Sequence, residues 1–205
     1  MLVGIDPGHG GSNTGCQYDG LIEKAYTLEL GLTLRKALAA VGLDSEISRN
    51  GDDTLSLEQR AARLARCDFV LVLHVNAALP ADAAKAKSLH TYVSADIADT
   101  DPGKLALGAA TEMELCAPQL VRPAKASPIV CSAKADDRAH NCLLQHKPPA
   151  VLVELFFATH PLSNRWAKTP YGRASLLSTL VAGSVNAWYH HEISHPVDET
   201  DRKLA

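Results

Sequence analysis

The sequence has no apolar run long enough to cross a bilayer. Its longest, Phe69 to Leu73 and Ala150 to Phe157 among them, fall far short of the ~20 residues a spanning helix needs, so no membrane insertion is expected. An excess of positive charge is also missing: the net charge is -3 and both signs are interspersed. With no basic stripe to neutralise phosphates, neither nucleic acid nor an anionic lipid surface is an expected partner. The five cysteines, Cys16, Cys67, Cys116, Cys131 and Cys142, are odd in number, widely spaced and form no Cys-x-x-Cys pair. Buried thiols are expected rather than a disulfide framework or a cysteine metal cluster. The opening Met-Leu-Val-Gly-Ile-Asp lacks the basic stretch, apolar segment and small-residue cleavage site of a secretory leader, so no export signal is expected in this chain. Low-complexity tracts and internal repeats are absent too, which argues against disorder and against a repeat array.

A chain of 205 residues, 46% hydrophobic and 21% charged, fits one globular domain around one core. Leu2 to Ile5 is a short apolar run stopped by Asp6-Pro7-Gly8, the pattern of a buried strand. From Glu23 to Val41 the residues Leu30, Leu34, Leu38 and Val41 recur at helical spacing, with Gly42 as the stop. Leu43 to Ser48 reads as a weaker strand. Ser56 with Gln59 forms a capping box that opens a helix carrying Leu57, Ala61, Leu64 and Ala65. Phe69 to Leu73 is continuously apolar, as a parallel strand covered on both faces must be. Ser88 to Ser94 reads as a strand nearer an edge, and Lys104 to Leu120 as a helix opened by Asp101-Pro102. Pro123 to Lys147 reads as loop with one short strand around Leu143-Leu144. Ala150 to Phe157 is the most apolar strand, and Leu176, Leu177, Leu180, Val181, Val185 and Trp188 mark a last helix. Alternating strands and helices predict an α/β single domain, a mostly parallel twisted sheet with helices on both faces, over residues 1–192, followed by a polar tail over 193–205.

In such sheets, sites gather outside the carboxyl ends of the strands. Three strand ends carry groups that packing alone does not want: His9 just past the first strand, His74 directly after Leu73, and Glu154 inside an otherwise apolar strand. Burying a carboxylate there is costly unless it is paired, hydrogen-bonded or near a metal. Glu23 opens the first long helix, where a negative side chain also suits the positive helix end. The glycines around His9 could cradle an anion, but the lysine and hydroxyl residue of a P-loop are missing. Each residue taken singly could be structural. Together, two imidazoles and a carboxylate are the ligand type of catalytic zinc sites that keep a position for water, with a second glutamate as base. His90, His160, His190, His191 and His195 read as solvated or structural, whereas His140 and His146, in the unassigned loop, are candidates to line a groove.

Five segments in order, Val3-Gly4-Ile5-Asp6-Pro7-Gly8-His9-Gly10-Gly11, Glu23-Lys24, Leu57 with Arg60 and Ala65, Leu73-His74-Val75-Asn76-Ala77, and Pro149-Ala150-Val151-Leu152-Val153-Glu154, carry a resemblance. The chain resembles the zinc-dependent N-acetylmuramoyl-L-alanine amidases of the type called amidase family three. The resemblance runs through nearly the whole chain. It implies that His9, Glu23 and His74 bind Zn2+, that Glu154 is the catalytic carboxylate, and that peptidoglycan is the partner and substrate. Asp6 and Asn76, beside the two histidines, are expected to orient ligands or bind substrate. Some positions depart from the pattern: Arg66 replaces a common asparagine, Leu155-Phe156-Phe157 a usual glycine-phenylalanine, and Ala78 to Lys87 lacks the glycine that leads into the next strand. None is a proposed ligand.

Zinc held by two imidazoles and a carboxylate activates water near neutrality and polarises the scissile carbonyl. The resemblance then implies that Glu154 takes the proton of that water and passes it to the departing alanine nitrogen. The expected setting is a monomeric lytic enzyme that reaches the wall after release from the cytoplasm or as a trimmed secreted domain. Two alternatives stay open at this point: a zinc peptidase or deacetylase with another substrate, and a catalytically silent peptidoglycan-binding domain.

Overall fold

Short apolar strands followed by amphipathic helices assemble here into one open sheet. The computed structural model describes residues 1–132 and 138–194. In chain order the elements are β1 (Leu2–Pro7), β2 (Gln17–Tyr18), β3 (Leu21–Ile22), α1 (Glu23–Ala40), β4 (Asp44–Ile47), α2 (Leu57–Arg63) and β5 (Phe69–Asn76). There follow β6 (His90–Ser94), α3 (Asp101–Cys116), β7 (Ile129–Cys131), α4 (Arg138–Leu143), β8 (Ala150–Phe157), α5 (Pro161–Ala167) and α6 (Pro170–Ser194). The main sheet has the order β4-β1-β5-β8-β6-β7, and β2 and β3 form a separate small hairpin. Strands β4, β1, β5 and β8 are mutually parallel; β6 lies antiparallel to β8, with β7 parallel to β6.

The period of two along each strand divides the core. Leu71, Leu73 and Val75 of β5 and Val151, Val153 and Leu155 of β8 face one way and pack with Leu30, Leu34 and Leu38 of α1, Ala106 and Met113 of α3, and Leu176 and Leu180 of α6. Each such leucine or valine, fully removed from water, contributes about 1.5–3 kcal/mol. Val70, Val72, Ala150 and Leu152 face the other way, against Leu64 after α2 and Ala139, Cys142 and Leu143 of α4. The same alternation puts His74 and Glu154 on this second face, where the parallel register pairs them side by side.

The capping box before α2 forms as the sequence predicts: the Gln59 N–H donates to Ser56 Oγ at 3.2 Å and the Ser56 N–H to Gln59 Oε1 at 2.9 Å. The stretch from Pro123 to Lys147 differs from expectation. Its strand is β7 at Ile129–Cys131, and Leu143 closes helix α4 rather than starting a strand. Ala139, Cys142 and Leu143 are buried at helical spacing, but so short a helix has too few turns to register as a period. Helix α3 ends at Cys116, before Ala117-Pro118, because a residue preceding proline is pushed out of the helical region. Helix α6 continues through Ser194, and the rest of the expected tail, 195–205, lies outside the described residues. No described helix is long and apolar enough to cross a membrane. The five cysteines form no disulfide.

Candidate metal centre

Beyond β1 the chain turns through Gly8-His9-Gly10-Gly11. His9 has φ 63°, a left-handed conformation uncommon for a residue with a side chain, and Gly10 and Gly11 follow at φ 132° and 57°. Two buried arginines hold this turn. Arg49 donates from Nε to the Pro7 carbonyl at 2.9 Å and from Nη2 to the carbonyls of Gly8 at 2.9 Å and Lys24 at 2.7 Å. Arg60 donates from Nη1 to the Pro7 carbonyl at 2.7 Å and from Nη2 to the carbonyl of His9 itself. A guanidinium is expensive to bury unless its donors are met; here the carbonyls of the turn meet them.

Glu23 is the first residue of α1, and its carboxylate enters the same space from the side. Oε2 accepts from the Cys16 N–H at 2.8 Å and Oε1 from the Val75 N–H at 2.8 Å. Oε1 also lies 3.0 Å from His9 Nε2 and 3.1 Å from His74 Nδ1. The two rings meet edge to face at 4.8 Å between centroids. One ligand atom from each of His9, Glu23 and His74 lies within 4.8 Å of the other two. His9 Nδ1 pairs with Asn13 Oδ1 at 2.9 Å, and that oxygen also accepts from the Gly15 N–H. The Nδ1 of His9 therefore carries the proton, leaving the Nε2 lone pair aimed at the centre.

Two glycines make room for this cluster. A Cβ on Gly8 would stand 2.6 Å from His74 Cε1, and one on Gly15, at φ 64°, would stand 2.5 Å from Glu23 Oε2 and 2.6 Å from His9 Cδ2. Electrostatics agree with a site drawn around positive charge. Burial opposes ionisation of Glu23, but the two imidazoles outweigh it and hold the carboxyl well below its usual range. Burial likewise opposes charging of His74, yet Cys142, Glu23 and Glu154 raise it well above its ordinary value. Two imidazoles and an ionised carboxylate, converging and cradled by glycine, fit a divalent zinc ion in donor type and number.

Glu154 stands beside His74 in the sheet register, and His90 of β6 stands opposite Glu154 on its other side. Its Oε2 is shielded from solvent and has no hydrogen-bond partner. Burial pushes the carboxyl up to about 7, with His74 working against the rise and Glu23 adding to it. His90 is held below its ordinary value by burial and meets the Phe157 ring edge to face at 5.5 Å.

The structure thus gathers His9, Glu23 and His74 and sets Glu154 next to them. Asp6 lies one layer beneath: Oδ1 accepts from Arg60 Nη1 at 2.8 Å and from the Ser48 hydroxyl, and Oδ2 faces His146 Nε2 at 3.5 Å. Burial works against the Asp6 charge, but His146, Arg60 and Ser48 bring its carboxyl down to about 2. His146 is in turn held up at about 9, since Asp6 and Cys142 outweigh its burial. Asn76 Oδ1 accepts from the Ala77 N–H at 2.8 Å and shapes the strand end. His140 and His146 do not line an open groove as expected. Both are buried, His140 within α4 and His146 against Asp6. Arg49, Asn13 and Cys142 were not expected at the site. Arg49 carried a faint signal, a cation directly after a strand and before Asn50-Gly51, where a solvated turn would need none.

A mainly parallel α/β sheet with two imidazoles and two carboxylates gathered at the carboxyl ends of its strands defines a protein with a candidate hydrolytic metal centre. The family model Amidase_3, described as N-acetylmuramoyl-L-alanine amidase, matches residues 3–185, and the chain belongs to this family. It is 46% identical over 81 residues, 38% of this chain and 32% of the relative, to the N-acetylmuramoyl-L-alanine amidase CwlM of Bacillus licheniformis. It is 28% identical over 183 residues, 87% of this chain and 55% of the relative, to the probable cell wall amidase LytH of Staphylococcus aureus. The matched region thus spans about a third of the length of CwlM and about half that of LytH. Among solved structures, the N-acetylmuramoyl-L-alanine amidase AmiC2 of Nostoc punctiforme superposes with a TM-score of 0.76 at 20% identity, covering 92% of this chain and 97% of that one. At that identity the likeness establishes the fold.

Proposed function

We propose that this protein is a zinc-dependent amidase of the bacterial cell wall that cleaves the amide between the lactyl group of N-acetylmuramic acid and the L-alanine of the stem peptide. The observation that carries the reading is the convergence of His9 Nε2 and His74 Nδ1 on Glu23 Oε1 at 3.0 and 3.1 Å, one ligand atom of each residue lying within 4.8 Å of the others, with Glu154, whose buried Oε2 has no hydrogen-bond partner among the described residues, in register with His74. Membership of the amidase family and the printed names of its relatives supply the substrate class. His9, Glu23 and His74 would hold the metal. When bound, zinc supplies Lewis acidity that activates water and polarises a carbonyl. Glu154 acts as the proton carrier. Held at about 7, its carboxylate takes a proton from the attacking water and returns it to the departing alanine nitrogen, so one group serves as base and then acid. Arg49 and Arg60 keep His9 in its left-handed turn, and Asn13 keeps its Nδ1 protonated. The test is metal analysis of the purified protein. About one zinc per chain is expected, lost on chelation together with activity and regained on adding zinc; full activity in metal-free protein contradicts the reading.

A further inference from the structure

One histidine beside the centre has no part in it. Along β6 the neighbours fix which way each side chain faces: Leu89 and Val93 enter the first core, the Thr91 hydroxyl donates to Glu114 Oε1 of α3 at 2.7 Å, and Tyr92 packs against the second core. His90 therefore faces the same way as Tyr92, onto the side that carries His74 and Glu154. Residues directly opposite in neighbouring strands share a face, and the register sets His74 opposite Glu154 and Glu154 opposite His90. The three side chains form one row across β5, β8 and β6, with Glu154 in the middle. Because β6 runs against β8, the row meets it at its first residue, an amino end that a search of carboxyl ends passes over.

The His90 side chain is partly exposed and makes no hydrogen bond or ion pair among the described residues. A register shift past His74 brings Phe157 beside Asn76, and the Phe157 ring meets the imidazole edge to face at 5.5 Å. A phenyl ring restrains the angle of the imidazole but offers no lone pair to its N–H. Burial holds His90 below its ordinary value, with Glu114 opposing the shift, so near pH 7 the ring is neutral, with one N–H donor and one lone pair. That pair of groups matches the C=O and N–H of a peptide rather than a carboxylate.

In the reaction proposed above, the attacked carbonyl lies at the cluster of His9, Glu23 and His74, and Glu154 protonates the departing alanine nitrogen. The peptide attached to that nitrogen then runs from Glu154 away from the cluster, toward β6. Resting on that reading, we infer that His90 is a substrate-binding residue for the departing stem peptide: its imidazole, backed by Phe157, hydrogen-bonds a backbone amide just beyond the scissile bond. It takes no part in holding the metal or in moving the proton.

The experiment measures kcat and KM of the zinc-loaded protein on a soluble N-acetylmuramoyl pentapeptide for the wild type, His90→Ala, His90→Phe and His90→Gln. Loss of a hydrogen bond between neutral groups weakens binding about 3–10-fold, and a contact made equally before and during the reaction is read in KM alone. His90→Ala is expected to raise KM by that factor and to leave kcat nearly unchanged. His90→Gln, whose amide both donates and accepts, should recover most of the loss. Inhibition by the released pentapeptide should weaken in parallel, and inhibition by N-acetylmuramic acid should not change. Unchanged KM in His90→Ala overturns the inference. So does a fall in kcat at constant KM, which would assign the ring to Glu154, or an equal weakening of both products, which would mean a general disturbance of the site. Should His90→Ala fail to fold, His90→Phe keeps a ring against Phe157 and removes both nitrogens: the same rise in KM is expected, and a wild-type KM overturns the role. A zinc-loaded wild type that leaves the muramoyl peptide intact contradicts the amidase reading and this role with it, whereas normal wild-type turnover with unaltered KM in the variants removes the role of His90 alone.

Discussion

Glu154→Gln separates a catalytic carboxylate from a structural one, because the two roles predict opposite effects on stability. In the metal-free protein burial raises the Glu154 carboxyl from its ordinary 4.5 to about 7. An acid whose folded value lies above its unfolded value stabilises the fold fully below the unfolded value, and that contribution is lost as pH rises through the folded one. At ~1.4 kcal/mol for each tenfold change in proton affinity, the ionised side chain costs the fold roughly 3 kcal/mol at pH 8. The residue keeps some exposed surface although Oε2 is shielded, and solvent screening reduces the cost to ~1–2 kcal/mol. Glutamine, of the same shape and uncharged, avoids it. The metal-free Glu154→Gln protein should therefore melt above the wild type at pH 8 and level with it near pH 4. Its amidase rate with zinc should fall by at least about a hundredfold, with zinc still bound. Thermal melts at the two pH values, paired with turnover on peptidoglycan, test both halves. A variant less stable at pH 8 that keeps near-normal turnover would refute the argument.

Two further substitutions probe the scaffold. Asp6→Asn should remove both limbs of one pH dependence. The depressed Asp6 carboxyl, at about 2, contributes stability above its ordinary 3.8 that is lost as pH falls toward 2. The raised His146, at about 9, contributes stability below its ordinary 6.5 that is lost as pH rises through 9. The two limbs correspond to roughly 2–3 kcal/mol each, the Asp6 limb shared with Arg60 and Ser48 and the His146 limb with Cys142, and urea denaturation across pH should show a flatter profile in the variant; an unaltered profile counts against the pair. Gly15→Ala places a methyl 2.5 Å from Glu23 Oε2 in a left-handed backbone. It should weaken zinc binding at least about tenfold for a stability loss of only ~1–2 kcal/mol. Zinc titration beside a melt checks it, and undiminished zinc affinity would show that the cluster tolerates what its geometry forbids.

Much of the fold was legible because its main strands are continuous apolar runs. Phe69 to Leu73 and Ala150 to Phe157 can be covered only on both faces, which selects a central parallel position, and the strand-end rule then brings His74 and Glu154 near His9. Their side-by-side register was not legible, since it depends on how β5 and β8 slide against each other. The supports of the centre were less visible still. Arg60 and Asp6 stand 54 positions apart, and nothing local to either marks the pair. Arg60 lies among Leu57, Ala61 and Leu64 on a helix, where a surface arginine would look the same. His146 falls in a stretch whose helix α4 is too short to show a period, so its approach to Asp6 at 3.5 Å had no sequence signal. The proposed roles of Glu23 and Glu154 also could not be divided by residue type; their surroundings differ, with Glu23 between two imidazoles and Glu154 Oε2 lacking a hydrogen-bond partner among the described residues.

Whether the centre cuts the muramoyl amide is tested most directly by digesting purified peptidoglycan with the zinc-loaded and the chelated protein and identifying the new termini. The zinc-loaded protein should release stem peptides with free L-alanine amino termini, leave the glycan strands long and generate no new reducing sugars, and the chelated protein should release nothing. New reducing ends, new amino groups on the diamino acid or D-alanine, or equal release without metal would contradict it.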